Sequence, residues 1–532
     1  MPATLSSFFE EVLLSALFFF VAYLCLCYWR QILQAMGEIL YYLIRNLDPN
    51  YSPTSSTKDN DDEVWVGSTI EEPNEDGDIP RSTRIKLSLE SRRKHIYVLG
   101  ATGTGKSTLM LRLIASDIAQ RRTFCVVDLG GELVDHVLML LAEESDESWL
   151  ERLTLVDLRQ SDYVVGFNPL AGQELDRQRA MLLHSVIKQQ SESWGVTIER
   201  TLRNCLMALS ETGWSLLEVE PMLENAGFRA EVLSQVKNRR VKHFFEDFNK
   251  LSPAEQRQRT EPVINRIDTL LSVPQLQLMF GQRESFSFAE LFDERPGSIV
   301  LIALAGQQLE EAAKLAGGLF VSCIQSTIMA RGTQPEEERV PVHLYVDEFA
   351  TMAAERFERI ISEARKFGLG LCLAHQHLYQ LSVDLMRTLR NVVQNQFYFQ
   401  TGALDASELA QEISMDKTTS EIKSLIMSQR VGEAFLVRRG KRSRRLEIRR
   451  SRHAEVDLSV VQAIRDVALA SRGRPFAEVE QEIIDRETYI ASLEKPKSQA
   501  RESVTNYEIH HDKLPHFRPK LDPSDPAAEG TQ

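Results

Sequence analysis

Short apolar runs alternate with amphipathic stretches over most of the chain. Residues 95–99 and 123–128 form uninterrupted apolar runs typical of buried strands, and 107–120 between them carries apolar residues at helical spacing. Further runs typical of buried strands are 153–157, 298–304, 342–346 and 369–374. Because strands that alternate with helices pair in parallel, the pattern predicts an α/β fold whose parallel sheet is covered on both faces.

The pattern changes to helical periodicity, with many charges and few strand-like runs, across residues 172–285. We therefore predict an all-α domain inserted into a nucleotide-binding α/β domain, whose first part is 63–171 and whose second part is 286–494. Two short strand-like pieces, near residues 63–67 and 84–89, open the first part. The final residues, 495–532, are polar and contain prolines, which predicts a flexible tail.

Residues 1–46 form a separate apolar region, predicted to be a membrane anchor. Val12–Trp29 is an 18-residue run without charge, just long enough to cross a bilayer as a transmembrane helix. Acidic residues precede it and Arg30 follows, so the positive-inside rule places the body in the cytoplasm, at the inner (cytoplasmic) membrane. Gln31–Asn46 is interpreted as a helix along the membrane surface, with a short second span as the alternative. A linker at 47–62 follows; the alternative for the whole region is a buried core helix.

The charge distribution limits how the protein can bind nucleic acid. A net charge of −14 over 532 residues excludes a protein that coats nucleic acid over its whole surface, but it allows a local basic groove. Residues 438–452 carry nine cations, with Glu447 as the opposing acid within that stretch, and alternating sequence there predicts a basic hairpin. Such a hairpin suits phosphate; the alternatives are a solvated surface or contact with anionic lipid. The six cysteines form no C-x-x-C pair, which indicates reduced, buried thiols.

The sequence GATGTGKS at residues 100–107 fits the phosphate-binding P-loop, G-x-x-x-x-G-K-[ST], between a predicted strand and a predicted helix. Its backbone N–H groups and the helix N-terminus favour phosphate. Lys106 is predicted to neutralise the β- and γ-phosphates of ATP, and Ser107 to bind Mg²⁺. The predicted nucleotide-binding residues are Gly100, Ala101, Thr102, Gly103, Thr104, Gly105, Lys106, Ser107 and Thr108.

Residues outside the P-loop predict ATP hydrolysis rather than nucleotide binding alone. Asp347 and Glu348 end an apolar strand, where Asp347 is suited to hold the Mg²⁺ water shell and Glu348 to act as general base. Gln376 follows the next strand and is predicted to sense the γ-phosphate. The histidines at 375 and 377 raise a metal site as a weaker alternative. Arg365 is predicted either to reach a neighbouring subunit's γ-phosphate as an arginine finger or to be a solvated helix end.

These motifs carry a family resemblance. Together with the P-loop, residues 167–170 (FNPL), 346–349 (VDEF), 363–370 (EARKFGLG) and 374–376 (AHQ) resemble the FtsK/HerA superfamily, most closely the type IV coupling proteins of conjugation. The resemblance spans about residues 65–440. It implies a RecA-like domain in a ring, commonly a hexamer, in which ATP hydrolysis drives DNA through a central channel. It also implies that Arg365 acts in trans and Gln376 as sensor.

Two departures from the family pattern are visible. Residues 128–132 read DLGGE where many relatives have Asp-Pro-Lys-Gly-Glu, so Asp128 receives no firm role. Many coupling proteins also have two clear membrane spans, and this chain has one convincing span.

The leading functional hypothesis is a membrane-anchored ring ATPase that moves DNA, a coupling protein with a relaxase and secretion-channel proteins as partners. A related ring ATPase that energises protein export or assembles the channel is the second hypothesis. The third is an ATP-dependent membrane scaffold or switch without sustained turnover, which the acid pair disfavours.

Overall fold

The computed structural model describes residues 63–71, 81–144, 148–159, 162–171, 180–181, 183–184, 187–188, 195–304, 306–352, 354–449 and 457–493. The predicted membrane anchor, linker and C-terminal tail lie outside the described residues, as do Arg450 and Arg452 of the basic stretch. Their predictions therefore stay predictions.

The strands begin and end close to where the apolar runs place them. They are β1 Glu63–Thr69, β2 Arg84–Ser88, β3 Ile96–Leu99, β4 Thr123–Asp128, β5 Leu153–Asp157, β6 Tyr163–Val164, β7 Ile299–Ala303, β8 Val342–Asp347, β9 Leu369–His375, β10 Asn395–Tyr398, β11 Glu433–Arg438, β12 Arg444–Glu447 and β13 Arg474–Pro475. Every residue of β3, β4, β5 and β7 is buried, as expected for strands covered on both faces.

Eleven strands of the described chain form one sheet in the order β2-β1-β12-β11-β10-β3-β9-β8-β4-β7-β5. The run from β10 to β5 is parallel throughout, which confirms the predicted α/β fold with a parallel-dominated sheet. The other strands extend this sheet by antiparallel pairing. Strand β11 pairs with β10, β12 with β11, β1 with β12 and β2 with β1. The sequence predicted the pieces of this extension but not their attachment to the sheet.

The helices fall into two groups, those that flank the sheet and those of the central helical segment. They are α1 Leu89–Arg93, α2 Lys106–Ala119, α3 Glu132–Glu143, α4 Trp149–Arg152, α5 Val196–Thr212, α6 Val219–Glu224, α7 Ala226–Gln235, α8 Arg239–Asn249, α9 Pro253–Leu271, α10 Pro274–Gly281, α11 Gly306–Ala330, α12 Ala354–Glu363, α13 Val383–Val392, α14 Ala403–Leu409, α15 Thr419–Met427, α16 Leu458–Arg472 and α17 Phe476–Ser492. Helices α5–α10 follow one another without an intervening strand.

The two C-terminal helices pack on different parts of the fold. Arg465 of α16 forms ion pairs with Asp135 (2.5 Å) and Asp157 (2.9 Å), which join this helix to α3 and to the end of β5. Helix α17 packs instead on the helical segment, where Arg486 pairs with Glu218 at 2.7 Å. The chain thus returns to the helical segment after completing the sheet.

Among the described residues, one helical stretch, Glu311–Thr333, is long and apolar enough to cross a membrane. However, 67% of its most apolar window is buried within the fold, and Phe320 stacks on Phe167 at a ring-centroid distance of 4.7 Å. The stretch is therefore a core helix that packs beside the sheet.

Candidate nucleotide site

The loop between β3 and α2 adopts a conformation that its glycines make possible. Gly103 and Gly105 have φ of +76° and +117°, in the left-handed region that side chains rarely occupy. At Gly100 a Cβ would lie 2.5 Å from the Cβ of Phe399, so a larger residue would collide with the segment that follows β10. The strand, turn and helix of a P-loop are all present, and the turn depends on its glycines.

The amino end of α2 is open for an anion. Gly105 caps the helix without a side-chain hydrogen bond, so the first-turn N–H groups have no competing side-chain acceptor at the cap. Lys106 is buried and its ammonium donates to the backbone oxygens of Gly100 (2.8 Å) and Ala101 (3.2 Å). Its burial lowers the pKa of Lys106, whereas Asp347 and Glu348 nearby raise it. These groups form a cradle that fits a nucleotide's phosphates.

The acid pair lies directly beside this cradle. Asp347 ends β8, and the register of β8 with β4 sets it opposite Asp128. Desolvation within the fold, followed by the charges of Asp128 and Glu348, raises the pKa of Asp347 to about 7. Carboxylates crowded in this way are suited to a divalent cation, so the setting of Asp347 fits a Mg²⁺ ligand. Ser107 is exposed in the first turn of α2.

Asp128 acquires a structural role that the sequence did not reveal. Its carboxylate accepts hydrogen bonds from the backbone N–H groups of Gly130 (3.0 Å) and Val134 (3.1 Å), across the start of α3. Burial raises the pKa of Asp128, and these backbone donors oppose that shift. Asp128 thus stabilises the turn into α3 and adds negative charge beside Asp347. An acid at the end of a buried strand was the available sequence signal.

A chain of hydrogen bonds joins the P-loop to the predicted general base. Gln376 donates from its amide nitrogen to Oε1 of Glu348 at 2.6 Å, and its amide oxygen accepts from the hydroxyl of Thr102 at 3.0 Å. Only one orientation of the amide satisfies both partners, since a carboxylate can only accept. Glu348 itself has φ of +53°, an unusual left-handed conformation for a side chain of this size. The structure therefore brings three predicted residues into one network.

The two histidines beside Gln376 have partners within the protein. His375 is buried and its Nε2 lies 2.6 Å from the hydroxyl of Tyr97. His377 stacks on Tyr379 and lies 3.5 Å from Asp405. Across the residues that the structure describes, no group of three or more His, Cys, Asp or Glu side chains is arranged to hold a metal ion.

Arg365 lies at the opposite end of strand β9 from this network. It is exposed on a 3₁₀ turn, Ala364–Phe367, just before β9, whereas Gln376 immediately follows β9. Seven strand residues at about 3.3 Å each separate the two positions by roughly 20 Å. Arg365 therefore does not belong to the site formed by its own P-loop.

A buried polar cluster lies beneath the site, and sequence reasoning missed it. Asp117 of α2 is fully buried and accepts from Arg92 of α1 at 2.7 Å and from the hydroxyl of Tyr345 of β8 at 2.6 Å. Arg92 holds the pKa of Asp117 far below its usual range despite burial. The cluster joins the P-loop helix to the strand that carries the acid pair. An aspartate on the apolar face of α2 was the signal for it.

The basic stretch forms the predicted hairpin, but its charge is partly neutralised. Arg445 pairs with Glu433 at 2.7 Å, Arg449 with Glu447 at 3.0 Å, and Arg442 with Asp416. Glu447 is the acid within the basic stretch, but Glu433 on the paired strand β11 and Asp416 from an earlier loop also oppose its arginines. Exposed cations for which the described residues show no acidic partner are Arg439, Lys441 and Arg444.

Hydrogen bonds connect the hairpin to the P-loop and to the helix that follows it. Gly432, just before β11, donates its N–H to the oxygen of Thr104 at 2.8 Å. Arg112 of α2 donates to the oxygen of Arg449 at 2.6 Å. The loop that cradles phosphate and the basic hairpin are thus neighbours in the fold, which local sequence patterns do not show.

Comparisons with known proteins agree with this geometry. A family model described as the type IV secretion-system coupling protein DNA-binding domain matches residues 81–429. No curated protein matches the chain.

Several solved structures share the fold. The unbound bacterial conjugative coupling protein TrwBdeltaN70 has a TM-score of 0.51 at 14% identity, over 69% of this chain and 87% of that one. TrwB in complex with ADP and Mg²⁺ also has a TM-score of 0.51 at 14% identity, over 73% and 94%. VirB4 of Thermoanaerobacter pseudethanolicus has a TM-score of 0.50 at 14% identity, over 75% and 99%. At such identities these similarities establish the fold alone. The family match, in contrast, covers well over half of the chain and contains the P-loop, the acid pair and Gln376, so the chain belongs to the type IV secretion-system coupling protein family of FtsK/HerA-class P-loop proteins.

Proposed function

We propose that this protein is a membrane-anchored, ring-forming ATPase that moves DNA, alone or as a nucleoprotein, to a type IV secretion or conjugation channel. The observation that carries the proposal is the Thr102–Gln376–Glu348 network, which ties the phosphate-binding loop to a carboxylate suited to activate water. A protein that merely binds nucleotide has no need of that connection.

The residues divide the chemistry of ATP hydrolysis among them. The backbone of residues 100–108 and the ammonium of Lys106 hold the phosphates. Ser107 and Asp347 would hold Mg²⁺, which would offset the negative charge of the phosphates when bound. Glu348 accepts a proton from the attacking water. Gln376 holds the Glu348 carboxylate in place. It contacts the γ-phosphate, and its hydrogen bond with Thr102 couples that contact to the P-loop. TrwB, which shares the fold, has been observed with ADP and Mg²⁺.

The position of Arg365 supports a ring. An exposed arginine roughly 20 Å from its own Gln376 cannot contact the same nucleotide. In a head-to-tail ring, commonly a hexamer in this superfamily, the same turn faces the next subunit's P-loop. Arg365 then supplies positive charge to the γ-phosphate in trans, as arginine fingers do.

The basic hairpin supports DNA as the substrate. Arg439, Lys441 and Arg444 project exposed charge from a protein whose net charge is −14, and phosphate backbones attract such groups without base readout. The contact between Gly432 and Thr104 gives the hairpin a short route to the nucleotide site. We further propose that Val12–Trp29 anchors the protein in the inner membrane, with the ATPase body in the cytoplasm, where a relaxase and channel proteins are its partners.

The full chain, purified in detergent or nanodiscs, tests this proposal. ATP turnover and oligomer size are measured without DNA, with single-stranded DNA and with double-stranded DNA. We expect at least one kind of DNA to raise turnover several-fold and to increase the size of the oligomer. The Lys106→Ala variant is the matched control without nucleotide binding. If DNA changes neither turnover nor oligomer size, the motor proposal fails. A ring ATPase for protein export or channel assembly then accounts for the nucleotide site.

A further inference from the structure

The turn that presents Arg365 is anchored by a residue in a strained conformation. His95 lies one position before β3, is 1% exposed, and has φ of +67°. A buried, non-glycine residue in the left-handed region costs free energy and persists where the surrounding structure holds it. The contacts of its ring show what that conformation achieves.

Both ring nitrogens of His95 bind backbone groups on neighbouring elements. Leu371 of β9 donates its N–H to Nδ1 at 3.1 Å, and Nε2 lies 3.0 Å from the oxygen of Ile361. Since Nδ1 accepts, Nε2 carries the proton and donates. Burial, with a smaller effect from the nearby Arg365 charge, lowers the pKa of His95 to about 4. The ring is therefore neutral, with a single tautomer, across the physiological range.

The carbonyl that His95 binds lies in the last turn of α12. Ile361 precedes Arg365 by four residues, and the helix passes directly into the 3₁₀ turn Ala364–Phe367. His95 thus fixes the place where α12 delivers the chain to that turn.

A second buried side chain fixes the far end of the turn. Arg331 is 1% exposed and donates to the oxygens of Phe367 (3.1 Å) and Val340 (2.9 Å), while it pairs with Asp293 at 2.6 Å. Gly368, with φ of +87°, then turns the chain into β9. Arg365 is exposed, but the backbone on both sides of it is clamped.

We propose that His95 is a positioning residue for Arg365, which holds the end of α12 so that the turn presents the guanidinium to the nucleotide of the neighbouring subunit. This proposal rests on the trans role of Arg365. It also connects the P-loop of one subunit with the nucleotide site of the next. Strand β3 joins His95 at one end to Gly100 of the P-loop at the other. A shift of the P-loop on hydrolysis reaches, through four rigid strand residues, the turn that acts on the next subunit.

Two substitutions of His95 separate its hydrogen bond to α12 from its other functions. His95→Asn tolerates the left-handed backbone and offers an oxygen to the N–H of Leu371, but it is too short to reach Ile361. His95→Gln extends an amide nitrogen far enough to donate to that oxygen. We expect His95→Asn to lower the kcat of the assembled full-length protein by about 10- to 100-fold with little change in KM, and His95→Gln to recover part of that loss. His243→Asn, on the exposed face of α8, is the control and should leave turnover unchanged.

A merely structural role predicts a different result. In that case KM, nucleotide affinity and thermal stability worsen together in both variants, and His95→Gln gives no recovery. Fluorescent-nucleotide binding and thermal unfolding of both variants, measured alongside turnover, detect this outcome, which overturns the proposal.

Mixed oligomers provide the closing experiment. Lys106→Ala subunits cannot hydrolyse ATP but carry an intact Arg365 turn, so mixing them with Arg365→Ala subunits should restore turnover at sites where the two meet. We expect the same restoration with His95→Asn subunits. If Arg365→Ala is restored and His95→Asn is not, His95 does not act through Arg365 and the proposal is overturned. If Arg365→Ala itself is not restored, the trans role fails first, and the proposal fails with it.

Discussion

Gln376 donates a hydrogen bond of 2.6 Å to the carboxylate of Glu348, and the same amide accepts one from Thr102 in the P-loop. Glu348 belongs to the strand end that carries the acid pair, and Gln376 to the end of the neighbouring parallel strand. The contact joins the group suited to activate water with the loop suited to hold the phosphates.

Replacement of Glu348 by glutamine should abolish ATP turnover while nucleotide binding survives. The amide keeps the shape of the side chain but cannot accept the proton of water, and loss of a general base costs about 10²- to 10⁴-fold in rate. Steady-state hydrolysis and fluorescent-nucleotide affinity measure the two effects. Glu311→Gln, on an exposed face of α11, is the matched control. Turnover within a few-fold of wild type would exclude Glu348 as the base.

Removal of the Gln376 amide should slow turnover less than removal of the base. Gln376→Ala releases both Glu348 and Thr102, whereas Thr102→Val breaks only the link to the P-loop. We expect kcat to fall in both variants, about tenfold or more for Gln376→Ala, and less for Thr102→Val. If both variants instead show a small and equal rise in KM with kcat unchanged, the network serves nucleotide binding and not the chemical step.

The stability of the metal-free protein should depend on pH through Asp347. Its pKa is raised to about 7, against 3.8 in the ordinary case, so the folded state holds this proton where the unfolded state has released it. Its contribution to stability is therefore present at low pH and is lost as pH rises from about 4 through 7. Thermal unfolding in EDTA at pH 5 and pH 8 measures this for wild type and Asp347→Asn.

The asparagine variant should gain stability relative to wild type at pH 8 but not at pH 5. Mg²⁺ should oppose the loss in wild type alone, since binding needs the ionised carboxylate. A difference between the two proteins that does not change with pH would contradict the raised pKa.

The exposed cations of the hairpin should carry DNA affinity. Lys441→Ala and Arg444→Ala each remove a charge without an acidic partner among the described residues. Each should make the negative slope of log affinity against log salt less steep by about 1. Arg387→Ala, which removes an exposed arginine paired with Asp384, is the control. Binding titrations with a fluorescent oligonucleotide at several salt concentrations provide the measurement. Unchanged salt slopes would assign the hairpin another partner, and vesicles with anionic lipid would then test for a membrane surface.

Local patterns in the sequence account for the chemistry of the site. The glycine spacing of residues 100–105, Lys106 and Ser107, and two acids at the end of an apolar strand depend on neighbours in the chain. Strand, turn and helix form there because apolar period and glycine placement are local properties, so the sequence alone indicates a P-loop, an α/β fold and the family.

Tertiary structure decided everything that depends on distant pairing. The order of the parallel strands sets Asp128 beside Asp347 and Gln376 beside Glu348. The β11–β12 hairpin lies between β10 and β1, and its arginines pair with Glu433 and Asp416. His95 and Ile361 lie 266 residues apart in sequence, yet their hydrogen bond fixes the turn that carries Arg365. Strand order and buried polar contacts arise from the packing of the whole chain, which no local period encodes, whereas the P-loop is already specified by eight consecutive residues.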